Sequence, residues 1–65
     1  MIDTVFTTTE KPELEPVEVV MPFPVHIGEY VRINNATWIV HGVFWEIATN
    51  SETMTRTVKL HVRIK

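Results

Sequence analysis

Residues 54–65, MTRTVKLHVRIK, alternate apolar and polar side chains, and this period of two constrains the fold more than any other feature of the chain. Successive side chains of an extended strand point to opposite faces, so Met54, Val58, Leu60, Val62 and Ile64 share one face, interrupted by Arg56. Thr55, Thr57, Lys59, His61, Arg63 and Lys65 share the other. The stretch predicts an antiparallel strand with one face buried. No window carries a sustained helical period and no internal repeat is visible, so the expected class is all-β.

A second strand pair is written in YVRINNATWIVHGVFWEI, residues 30–47. Val31 and Ile33 face one way, Tyr30 and Arg32 the other. Asparagine tolerates positive φ better than other non-glycine residues, which predicts a hairpin turn at Asn34 and Asn35. The alternation then changes phase, from even positions at Trp38 and Val40 to odd ones at Val43, Trp45 and Ile47, with Gly42 at the change. A bulge there adds one residue and flips the facing of everything after it. Trp38, Val40, Val43, Trp45 and Ile47 are then expected to point inward. Ile39, His41, Phe44 and Glu46 are expected outside, and Phe44 is the ring without an evident place.

All four prolines lie in EKPELEPVEVVMPFP, residues 10–24. Each lacks an amide donor and fixes φ, so this segment is neither a helix interior nor a central strand. VEVVM, between Pro16 and Pro22, can still form a short edge strand. Residues 1–24 read as an extended, proline-rich, acidic arm, and residues 25–65 as the compact β-barrel domain. The overall expectation is an antiparallel meander of four to five strands curled into a small SH3-like barrel or sandwich, with the arm added.

At 65 residues the chain forms one domain, and a chain of this size buries only roughly 60% of the surface its unfolded form exposes. Without cysteine there is no disulfide framework and no thiolate metal site, and a reducing cytoplasm is the natural compartment. A hydrophobic content of 45% leaves apolar area to hide, and association is the remaining route to stability. A homo-oligomer or a protein partner is therefore expected, in the cytoplasm or within an intracellularly assembled particle. No apolar run is long enough to span a membrane, and Met1 to Glu10 lack the pattern of a signal peptide.

Formal charge is −2 and unevenly placed. Asp3, Glu10, Glu13, Glu15 and Glu18 oppose Lys11 alone in the first part of the chain. Arg32, Arg56, Lys59, Arg63 and Lys65 outnumber Glu29, Glu46 and Glu52 in the rest. The asymmetry fits either an acidic segment covering a basic face or plain solubility.

Signatures of catalysis are missing: no phosphate-cradling glycine loop, no cysteine nucleophile and no His-Glu pair at helical spacing for zinc. His26, His41 and His61 read as surface histidines, so no catalytic, cofactor or metal residue is assigned and no cofactor is expected. Two surfaces stand out. Val5, Phe6, Val19, Phe23, Ile39 and Phe44 are the candidates for protein–protein interaction, through the arm and an exposed apolar patch. Lys59, His61, Arg63 and Lys65 set positive charge along one strand face at roughly 6.6 Å intervals, near the phosphate spacing of an extended single strand. With Tyr30 or Phe44 as a stacking platform, they are the candidates for nucleic-acid binding.

IGEYVRINNATWIVHGVFWE resembles the first hairpin of small SH3-like barrels, where a glycine-acidic turn enters a strand and a short polar turn follows. The chain is also faintly similar to the plasmid-encoded type of dihydrofolate reductase, a short barrel with an arm that works as a homotetramer. That family's Val-Gln-Ile-Tyr active-site strand has no counterpart here, so its activity is not carried over. Small barrel subunits of bacteriophages show a comparable mixture of arm and barrel. The expected function is that of a non-enzymatic β interaction module, an accessory or structural subunit of phage type. The alternatives are a single-stranded nucleic-acid-binding protein and an oligomeric enzyme with its site at a symmetry axis.

Overall fold

The computed structural model describes residues 1–9 and 14–65. Its strands are β1 (Ile2–Thr7), β2 (Val17–Met21), β3 (Tyr30–Ile33), β4 (Ala36–Asn50) and β5 (Thr55–Ile64). They form one five-stranded sheet in the order β2-β1-β5-β4-β3, curled into a half-barrel. The class is all-β, with no helix among the described residues.

Local chemistry explains most of these elements. Asn34 and Asn35 both take positive φ, 51° and 66°, the pair of left-handed residues that a two-residue hairpin turn requires. Ile33 therefore pairs with Ala36 and the β3–β4 register follows. Along β4 the pairing with β5 shifts between Val40 and Gly42, which makes His41 the extra residue of a bulge. The phase change in the sequence lies at the same place. β2 is the short edge strand that Pro16 and Pro22 delimit, and it pairs antiparallel with β1.

The first residues depart from expectation. Instead of forming an arm, β1 lies inside the sheet, antiparallel to β2 and parallel to β5, so the meander is confined to β3-β4-β5. Thr4, Val5 and Phe6 are all buried. The buried Thr4 hydroxyl donates to the Ile2 carbonyl at 3.1 Å, which removes the cost of an unmet polar group. A strand with neighbours on both sides needs its whole backbone for the ladders. Residues 1–7 are consequently part of the same body as the rest.

Phe6, Val25, Trp38, Val40, Leu60, Val62 and Ile64 make the core on the concave face. Val25 comes from the link of residues 22–29, which joins β2 at one edge of the sheet to β3 at the other. That link ends in a tight turn, where the Glu29 carboxylate accepts from the His26 backbone N–H at 2.6 Å and the Glu29 N–H returns to the His26 carbonyl. Gly28, at φ 96°, then donates to the Val40 carbonyl and joins the link to β4.

Candidate contact surface on the protruding hairpin

β4 is 15 residues long and β5 is 10, whereas β1, β2 and β3 have only 6, 5 and 4. β3 pairs with β4 only as far as Ile39, and β1 meets β5 only from Lys59 to Arg63. The far part of the β4–β5 hairpin, Ile47 to Asn50 against Thr55 to Val58, runs on as a two-stranded ribbon. The molecule measures 41 × 24 × 18 Å with a radius of gyration of 13.0 Å, against about 11 Å for a compact chain of this length.

The ribbon is not polar on both sides. Trp45 pairs with Leu60 and Ile47 with Val58, on the same face that forms the core further back. Leu60 is buried, but Trp45 is 51% exposed, Ile47 65% and Val58 46%. Both Trp45 and Ile47 were expected inside the core. They sit on the expected face, yet no other strand reaches far enough to cover them. Thr49 and Arg56, paired nearer the tip, give the apolar stripe a polar end.

On the convex face the ring of Phe44 stacks on that of His61, with centroids 4.8 Å apart. His61 Nε2 lies 2.9 Å from Glu46 Oε1, and Lys59 Nζ donates to Glu18 Oε1 at 3.1 Å. This hydrogen bond and the charge of Glu18 hold the Lys59 ammonium above its ordinary pKa, Glu46 and Asp3 adding to the effect and partial desolvation opposing it. The predicted basic stripe is thus divided: Lys59 and His61 face carboxylates, whereas Arg63 and Lys65 form no ion pair among the described residues.

The sequence-predicted residues do not form a single patch. Val5 and Phe6 are buried, because β1 is a central strand; Phe6 belongs to the core cluster, and Val5 faces the other side, in register with His61. Val19 on the β2 edge and Phe23 in the link are exposed. Ile39 is half-buried on β4, opposite Tyr30 and bonded through its backbone to Lys65. Phe44 is half-exposed with one ring face taken by His61. Tyr30 is exposed at the β3 end, five β4 positions from Phe44 when counted from its partner Ile39, so the two rings form no common platform.

Sequence reasoning missed the grouping of Trp45, Ile47 and Val58 as a surface. The signal was present as a mismatch of length, since the alternation of β4 and β5 outruns every strand able to cover it. Among the described residues no three His, Cys, Asp or Glu side chains converge to hold a metal ion, and no helix is long and apolar enough to cross a membrane. Comparison with protein families, with curated proteins and with solved structures finds no match for this chain.

Proposed function

We propose that this protein is a small non-enzymatic β module that works by self-association, seating the uncovered face of its β4–β5 hairpin on a second copy of itself. The observation that carries the reading is the hairpin face with Trp45, Ile47 and Val58 open to water. An isolated two-stranded hairpin is marginal in water, and it becomes stable when its apolar face is packed. Aromatic side chains in the centre of such a face supply most of the energy of a protein contact.

The area available agrees with this. The accessible surface is 5035 Å², where a compact monomer of 7.6 kDa is expected to expose about 4,300 Å². The excess is close to the ~800 Å² that each partner contributes to a standard interface. A second copy offers the same apolar stripe, so a two-fold axis through the hairpin lets each Trp45 meet the other's Ile47 and Val58. The nucleic-acid reading has less support, because Lys59 and His61 already face Glu18 and Glu46.

Sedimentation across a wide dilution series tests the proposal. The expected result is a mass above 7.6 kDa that falls to the monomer on dilution, and an Ile47→Lys variant that stays monomeric throughout. A monomer at every concentration, or an Ile47→Lys variant that associates as well as the parent, overturns it.

A further inference from the structure

We propose that a hollow on the convex face, around Arg63, binds a single tetrahedral oxyanion of the phosphate class. This goes beyond the self-association above and uses the opposite side of the sheet. Thr7, Thr8, Thr9, His41 and Arg63 line the hollow. Several bring donors that an oxyanion can use: the guanidinium fork of Arg63, the imidazole of His41, and the hydroxyls of Thr7 and Thr9.

Two features of the sheet hold the arginine there. In register, Arg63 stands between Thr7 of β1 and Gly42 of β4, so its neighbours on the convex face are one small side chain and one glycine. Its stem lies along Gly42: a β-carbon built on that glycine is 3.6 Å from both Cβ and Cδ of Arg63. The stem thus runs close along β4 at this position, at ordinary contact distance from where a β-carbon would stand. The bulge at His41 adds the residue that brings the imidazole to the wall of the same hollow.

Charge is sorted along the face. The carboxylates of Glu18 and Glu46 are engaged by Lys59 and His61, and Asp3 lies at the register of Lys59, four positions from that of Arg63. That separation is roughly 13 Å along the strand, beyond a Debye length of ~8 Å at physiological salt. Among the described lining residues there is no carboxylate, and Lys65 lies two positions further on. The one fixed charge among those described lining residues is the guanidinium of Arg63.

Amide NMR titration with inorganic phosphate is the test. Saturable shifts are expected, confined to Thr7–Thr9, His41, Gly42 and Arg63. Arg63→Gln is expected to weaken binding roughly tenfold, the loss of one charge-assisted contact, and His41→Ala to weaken it less. Non-saturating shifts, shifts spread equally over Arg32, Arg56 and Lys59, or unchanged binding in both variants overturn the proposal. A parallel titration with short oligothymidylate separates the two sources of phosphate. Binding no tighter per phosphate supports a site for one phosphoryl group, whereas tighter binding that also shifts Lys65 and Tyr30 overturns it in favour of a nucleic-acid track.

Discussion

The imidazole of His61 lies flat on the phenyl ring of Phe44, the centroids 4.8 Å apart and the planes 5° from parallel. The two residues are cross-strand partners, and the Glu46 carboxylate holds His61 in place from the side. This pairing gives Phe44 its place outside the core. Stacked pairs of this kind contribute ~0.5–1.5 kcal/mol beyond area burial. Phe44→Ala is expected to lower stability by about 1 kcal/mol in urea unfolding, with a coupling of similar size in a double-mutant cycle with His61→Ala. A coupling of zero would show that the rings only happen to lie together.

Trp45 reports directly on the proposed interface. In the monomer it is half-exposed, so its fluorescence is expected to move to shorter wavelength as concentration rises and the ring leaves water. Trp38 is buried already and supplies a constant background. Trp45→Phe keeps the apolar face and is expected to abolish the shift while preserving association. A shift that persists in this variant would have to come from Trp38.

The two glycines separate backbone need from space. Gly28 holds φ at 96° with nothing within 4 Å of a built β-carbon, so Gly28→Ala is expected to cost about 1–2 kcal/mol through the backbone alone. Gly42 is not among the positive-φ residues, and a β-carbon there meets Arg63 at 3.6 Å, an ordinary contact. Gly42→Ala is expected to stay within about 0.5 kcal/mol of the parent. Both are measured as urea midpoints at one protein concentration, since association shifts apparent stability.

Lys59 links stability to alkaline pH. Its pKa in the fold is raised, first by the hydrogen bond it donates to Glu18 and then by that residue's charge. A lysine raised in the folded state contributes fully below its unfolded pKa, near 10.5, and the contribution is lost as pH climbs through the folded value. Stability is therefore expected to fall above about pH 10.5, and Glu18→Gln to flatten that decline. NMR titration of the Lys59 side chain, with and without Glu18→Gln, measures the displacement, and equal midpoints would refute the assignment.

Several elements are legible in the residue order itself. The alternation of residues 54–65 marks β5, the phase change at Gly42 marks the bulge, and Asn34-Asn35 marks a two-residue turn. Each depends on neighbours a few positions away, and short-range sterics decide it. Pro16 and Pro22 likewise bound β2, because a residue without an amide donor cannot sit within a central ladder. The place of Ile2–Thr7 was not legible, since a short strand reads the same whether it lies free or between two others. Nor was the pairing of Lys59 with Glu18, 41 residues apart in the chain.

Which side chains share a face is written in the residue order alone: Trp45 and Ile47 stand with Val40 and Val43, as their spacing and the bulge require. Which of them are covered is settled by the assembled sheet. β1 and β3 stop where they do, and the face beyond them has no lid. Facing follows from the two-residue repeat of an extended backbone, a local property, whereas cover depends on where distant strands begin and end. The same residue type is therefore core at Trp38 and surface at Trp45.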